Sequence, residues 1–198
     1  RKGGNVSPIP ADPSQNLTGI WPKKVVNYKT VMSDAASGFT SVTYPFPVIR
    51  MADLYLMYAE ALNEKGEDYA TVLPWIDMVR ERSGLQGVKE SWDQYVGNSK
   101  YATQTGLRQI IMQERRIELA FEGHYFWDVR RWKTATTELT QPLTGWKVRY
   151  GETDVDYYSE NLVLVRDFTP KMYFWPISHS ELKRNRLLTQ NPGWRDPE

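Results

Sequence analysis

The sequence predicts a mainly α fold, built from helix pairs joined by long irregular loops. Three observations carry this. Leu107, Ile110, Ile111, Ile117 and Phe121 recur at three-, four- and seven-residue intervals, the spacing of one helical face. Val48 to about Glu64 repeats the pattern through Met51, Leu54, Tyr58, Ala61 and Leu62. A further helix follows Gly66, with Leu73, Ile76 and Val79 on one face, and ends near Gly84. Two helices across a short glycine turn fit one tetratricopeptide-type repeat and an ordinary helical hairpin equally well.

Taken in order, residues 1–47 form an extended lead-in. Pro8, Pro10, Pro13 and Pro22 forbid a long helix, and Trp21 to Val31 offers one short strand. Tyr44 to Pro47 is extended, because a residue before proline avoids the helical region. Gly66 stands where a left-handed cap ends the first helix. Pro74 places the start of the next helix around Thr71, since proline is tolerated in a first turn. Gln86–Thr105 reads as a polar loop. Gly123 breaks the run from Leu107, and a short helix with Phe126, Val129 and Trp132 is expected to fold back on it. Thr136–Phe168 is irregular, with one strand in YYSENLVLVRDF. Ser178 caps a short helix from His179 to about Arg184, with Glu181 at the capping-box position. Leu187, Leu188 and Trp194 are expected to pin the tail.

Glu114, Glu118 and Glu122 lie four apart and stack beside the apolar stripe. Charges this dense among large apolar residues call for pairing, because an unpaired buried charge is very costly. Arg115, Arg116, Arg130 and Arg131 are the expected partners. Two carboxylates one turn apart also invite a glycosidase reading. Against it, they share one helix, and arginine neighbours hold them ionised, whereas a general acid needs a raised pKa.

Composition narrows the remaining chemistry. The 25 basic and 24 acidic residues nearly cancel, so bulk charge gives no reason to expect nucleic acid. The basic cluster Arg130, Arg131 and Lys133 reads as paired with Glu118, Glu122 and Asp128. No cysteine is present, which excludes disulfides, thiolate metal sites and cysteine nucleophiles. No apolar run is long enough to span a bilayer, and there is no signal peptide; Arg1 leaves room for an export signal upstream. Hydrolase and phosphate-cradling motifs are absent. Only His124 and His179 are available, and Glu122 and His124 do not match a Glu-x-x-His site. Asp154 and Asp156 would be the start of a calcium loop, but a solvated loop is the simpler reading. No cofactor and no metal is expected.

The 8 Trp and 12 Tyr exceed what a small core needs. A sugar ring offers an apolar C–H face and a rim of hydroxyls, so Trp or Tyr beneath it with polar groups at the rim suffices to bind it. Trp92, Tyr95, Asn98 and Tyr101 make one such loop group. Trp146, Tyr150, Tyr157 and Tyr158 make another. Any of these rings can instead pack its loop onto a helix. Trp92, Tyr95, Asn98, Tyr101, Trp146 and Tyr158 are the candidate ligand-binding residues.

Four stretches resemble one known family, in the right order. They are RMADLYLMYAEALNEKG at Arg50–Gly66, VRERSGL at Val79–Leu85, ERRIELAFEGHYFWDVRRW ending at Trp132, and FWPISHSELKRNRLLTQNPGW at Phe174–Trp194. The family is SusD/RagB, outer-membrane nutrient-binding lipoproteins of Bacteroidetes. The resemblance covers residues 48–194 and implies a SusD-like helical fold with tetratricopeptide-type helix pairs. Members are usually more than twice this long, so the chain looks like a C-terminal portion without the N-terminal repeat half and the lipidated cysteine. The resemblance further implies a non-enzymatic protein anchored at the cell surface. Its partners would be an oligosaccharide or other nutrient, a TonB-dependent transporter barrel, and the missing N-terminal half. No motif position carries the family's ligand residues onto this sequence. A helical-repeat module for a protein partner and a glycoside hydrolase are the alternatives.

Overall fold

The structure is a computed structural model, described here for residues 18, 22–32, 39–147 and 153–195. Pro8, Pro10, Pro13, Trp21 and Tyr150 lie outside these residues. The chain is mainly α, and it divides into two compact units: Lys23–Tyr125, and Arg1–Pro22 with Phe126–Glu198. Among the described residues, no helix is long and apolar enough to cross a membrane.

In the first unit, β1 (Val31–Met32) pairs antiparallel with β2 (Phe39–Thr40). The strand expected from Trp21 to Val31 is mostly turns instead. Val26 N donates to Lys23 O, Thr30 N to Asn27 O, and Lys29 N to Asn27 Oδ1. Asparagine's local hydrogen bonding offers the backbone a turn in place of a ladder.

Helix α1 (Met51–Lys65) ends at Gly66, whose left-handed φ of 89° favours a residue without a Cβ. The Glu67 and Gly66 amides close back onto Leu62 and Asn63 carbonyls. The inward face differs from the one that apolar spacing marks. Leu56 and Ala59 are fully buried, together with Ala52, Asp53 and Asn63. Met51, Leu54, Tyr58 and Ala61 face solvent, and Leu62 is only partly buried. Asp53 and Asn63 break the inward apolar pattern, yet both are matched. The Arg115 guanidinium reaches Asp53 at 2.9 Å, and Asn63 and Gln104 exchange hydrogen bonds at 3.1 and 2.7 Å.

Helix α2 (Tyr69–Arg82) starts two residues earlier than Pro74 suggests, because Asp68 caps it by accepting from Ala70 N. The expected polar loop holds α3 (Val88–Ser91), a π turn at Trp92–Val96 and a 3₁₀ turn at Lys100–Ala102. Helix α4 (Gln104–Glu118) is capped by Thr103, which accepts from Gly106 N. Gly106 is obligatory: a Cβ there would sit 2.1 Å from Lys100 O. Leu107, Ile110 and Ile111 point into the core against α1 and α2. Ile117 and Phe121 do not join them and are more than half exposed. The helix stops at Glu118, Phe121 takes a φ of 64° and Gly123 one of 84°, so residues past Leu119 leave the helical face. Leu119 is buried in their place.

The second unit contains α5 (His124–Arg131) from Phe126 onward, α6 (Ala135–Glu138), β3 (Leu143–Trp146), α7 (Asp154–Tyr157), β4 (Glu160–Leu164) and α8 (His179–Arg184). Its core is Val129, Ala135 and Phe168, backed by Leu139, Met172 and Tyr173. The expected irregular stretch holds an antiparallel hairpin that pairs Thr144↔Leu162 through Trp146↔Glu160 in one register, with a shift between Leu143 and Thr144. Strand β4 lies in the predicted run. Strand β3 is too short, and too close to Pro142, to show alternation. Ser178 does stand before α8, but its hydroxyl meets Ser180 Oγ and makes no cap. Leu187 and Leu188 are exposed and do not pin the tail. Gln190, Asn191 and Trp194 do, through hydrogen bonds to Ile177, Trp175, Lys171 and Phe174.

Candidate functional site

The two loop groups of aromatic residues have different fates. In the first, Tyr101 is built into the core: its ring packs edge-on against Tyr69, and its hydroxyl donates to Asp93 Oδ1 at 2.8 Å. Lys89 binds the other Asp93 oxygen at 2.5 Å, and these two donors hold the carboxylate below its usual range. Trp92 also packs against the core, with the Lys100 ammonium 5.4 Å from its ring centre. Tyr95 is 73% exposed, while the Asn98 side chain caps its own turn by accepting from Lys100 N. The packing of Tyr101 and Trp92 leaves Tyr95 alone as an open ring.

In the second group, Trp146 and Tyr158 keep their rings at the surface. The β3–β4 hairpin carries Trp146 at its end, opposite Glu160 and beside the Gly145↔Asn161 pair. Gly145 allows the strand to press against Thr18, where a Cβ would come within 2.7 Å of the backbone, and Trp146 N donates to Thr18 O. Lys147 N, donating toward Tyr157 O and Ser159 O, ties the turn after α7 to this strand. Thr153 caps α7 by accepting from Asp156 N, and Tyr157 at its end is buried. Tyr158 is thereby brought edge-on to Trp146, with ring centres 5.2 Å apart and planes at 85°. Tyr157 backs Tyr158 at 5.0 Å. Trp146 is 38% and Tyr158 61% exposed. The Lys147–Asp156 ion pair, at 2.8 Å, lies on the same hairpin and α7, and Glu160 and Asn161 are exposed beside it.

This arrangement is a corner of two perpendicular rings with charged and amide groups at its edges. One ring can take an apolar face while the polar groups meet hydroxyls. Asp154 and Asp156 open a helical turn, and Asp156 is paired with Lys147. Among the described residues, no group of three or more His, Asp or Glu side chains is arranged to hold a metal ion.

The glutamate stripe is paired, but with other cations than sequence proximity suggests. Arg50 grips Glu122 with two hydrogen bonds, at 2.7 and 2.8 Å, and also binds Glu118. Lys24 reaches Glu122 at 2.5 Å, and Arg82 reaches Glu118 at 2.6 Å. Arg80 answers Glu114. Burial alone would raise the Glu122 carboxyl; the hydrogen bonds from Arg50 and Lys24 outweigh it and hold the group below its ordinary range. That is the wrong direction for a general acid at neutral pH. Arg115 turns instead to Asp53. Arg131 pairs with Asp128, and Arg130 lies over the rings of Phe126, Phe168 and Trp175 while donating to Met172 O.

Comparison with known proteins identifies the scaffold. The sequence profile described as the SusD family matches residues 4–194. The chain belongs to the SusD family. It is 31% identical over 160 residues to SusD-like protein P2 of Formosa agariphila, spanning 80% of this chain and 27% of that protein. A SusD-like protein of Bacteroides fragilis, of known crystal structure, superposes with a TM-score of 0.61 at 30% identity, over 82% of this chain and 28% of the other. A SusD-like carbohydrate binding protein of Bacteroides fragilis superposes with a TM-score of 0.55 at 32% identity, over 71% of this chain and 28% of the other. The chain thus spans little more than a quarter of the length of these SusD-like relatives.

Within this SusD-family chain, the sequence alone did not bring Glu160 opposite Trp146 or Asp156 to Lys147. Their proximity depends on a strand of 4 residues and on the turn after α7. Arg50 opened a quoted motif, but nothing in its spacing pointed to Glu118 and Glu122, 68 and 72 residues away.

Proposed function

We propose that the protein is a cell-surface glycan-binding component of a TonB-dependent uptake system, capturing oligosaccharides for import and performing no catalysis itself. The reading places it at the outer membrane, lipid-anchored through a cysteine outside this sequence, beside a transporter barrel. The observation that carries it is the exposed Trp146–Tyr158 corner on a SusD-family scaffold. The carbohydrate-binding description of one Bacteroides fragilis relative supports it. So does the pairing of the glutamate stripe, which leaves those carboxylates a structural task.

The test is calorimetric titration of the full-length protein with a panel of oligosaccharides, with a reducing-end assay on the same samples. Saturable binding without product is expected, and Trp146→Ala should weaken it by about 1–3 kcal/mol, the scale of one buried aromatic contact. Tyr158→Ala should weaken it less. Product formation, or unchanged affinity in both variants, would overturn the reading.

A second reading, a module for a protein partner, draws on the apolar outer face of α1 and the residues just before it, where Val48, Ile49, Met51, Leu54, Met57 and Tyr58 are all exposed. Here the favoured partner is the rest of the protein's own length, the N-terminal repeat half.

A further inference from the structure

The tail of the second unit forms an open cavity of about 630 Å³ lined by Lys171, Ser178, His179, Gln190, Trp194 and Arg195, with no Asp or Glu among the described residues that line it. Its walls are tied by the scaffold. Gln190 accepts from Ile177 N at 2.8 Å and donates to Ile177 O at 2.9 Å, so its amide acts as a strand partner. The Trp194 indole N–H donates toward Lys171 O and Phe174 O, both at 3.1 Å, so its polar edge is already used. Gly193, at a φ of 85°, brings the tail so close to Lys171 that a Cβ would lie 2.7 Å from the lysine Cβ.

What these walls leave over is positive charge beside an aromatic face. The Lys171 ammonium stands 4.8 Å from the Trp194 ring centre. Among the described residues, neither Lys171 nor Arg195 has a carboxylate partner. Glu181, on the helix that starts at His179, is occupied by Arg184. An unpaired ammonium held over an indole offers the two contacts that a charged sugar needs at once: a π face for C–H groups and a donor for an anionic substituent. The volume falls within the usual range for small-ligand sites, about 300–1,000 Å³.

We propose that this cavity is a second carbohydrate site, for a pyranose bearing a carboxylate or a sulfate. It shares no residue with the Trp146–Tyr158 corner, so its failure leaves the reading of that corner standing, and the reverse also holds.

The experiment is a titration of the full-length protein with digalacturonate, galactose 6-sulfate, galactose and inorganic sulfate, each in low salt. The Lys171→Gln, Arg195→Gln and Trp146→Ala variants are run in parallel. Acidic sugars are expected to bind at least about tenfold more tightly than galactose, and Lys171→Gln to remove about tenfold of that affinity. Trp146→Ala removes binding at the corner, and the gap between acidic sugars and galactose should persist in that variant. Whether the carboxylate or the sulfate sugar binds more tightly identifies the substituent. Arg195 is exposed, so its variant carries the test if Lys171→Gln lowers the melting temperature. Equal affinity for galactose and the acidic sugars would overturn the proposal. So would inorganic sulfate binding as tightly as the sugars, no binding of either acidic sugar, or indifference to both charge variants.

Discussion

Glu122 sits past the end of α4, in the turn before Gly123, and Lys24 and Arg50 converge on it from far earlier in the chain. Its side chain is only 4% exposed, so its charge is stabilised by these partners rather than by water. Because the folded state holds this carboxyl below its ordinary value of 4.5, the unfolded chain binds more protons as the pH falls. The contribution to stability is full above the unfolded pKa and is lost as the pH falls through the folded one. Urea midpoints should therefore decline below about pH 5. Glu122→Gln should flatten that decline and lower stability at pH 7 by about 2–4 kcal/mol. A decline of unchanged steepness would assign the acid sensitivity elsewhere, with Glu64 the next group to test, since Arg108 holds it below its ordinary range. That the glutamates must be paired was legible in the sequence, because dense charge among apolar residues has few other solutions. Which cations pair with them was not. Pairing across the fold depends on where α1 and the lead-in come to rest, and sequence distance carries no information about that.

Helix α1 shows the same limit for an element. Its position and its glycine end follow from local chemistry, and both were readable. Its inward face was not, because the helix is apolar on two sides, and the inward side carries Asp53 and Asn63, whose partners are distant in sequence. Truncation distinguishes the faces. Leu56 is fully buried and Leu54 is 43% exposed. Leu56→Ala should cost about 2–5 kcal/mol, and Leu54→Ala under about 1 kcal/mol in this 198-residue chain, measured by thermal or urea unfolding. Comparable losses at both positions would mean that the outer face is already covered. The hairpin of the candidate site was half legible for a related reason. Strand β4 has enough β-branched and aliphatic residues to announce itself, whereas Gly145 in β3 is explained only by the approach of Thr18.

At the scale of the molecule, the outer face of α1 demands an explanation. Val48 and Ile49 are 82% and 72% exposed, and Met51, Leu54, Met57 and Tyr58 follow on the adjoining helix. Single exposed apolar residues are ordinary, but a run along one helix and its lead-in marks an interface. The SusD-like relatives are between three and four times as long as the part this chain matches, since the matched regions are 27% and 28% of their lengths. The extra length is thus the natural source of cover in the proposed arrangement. Met51 and Met57 provide the probe, because oxidation of methionine requires access. In the 198-residue chain, dilute peroxide should oxidise both at rates near that of free methionine, and the chain should self-associate as concentration rises. In the full-length protein both rates should fall at least about tenfold, as expected for side chains moved from a solvent face into a packed core. Leu54→Asp with Met57→Glu should suppress self-association of the short chain without lowering its melting temperature, and should destabilise the full-length protein. Equal oxidation rates in the two forms would show that the face stays open in the whole protein and belongs to a separate partner.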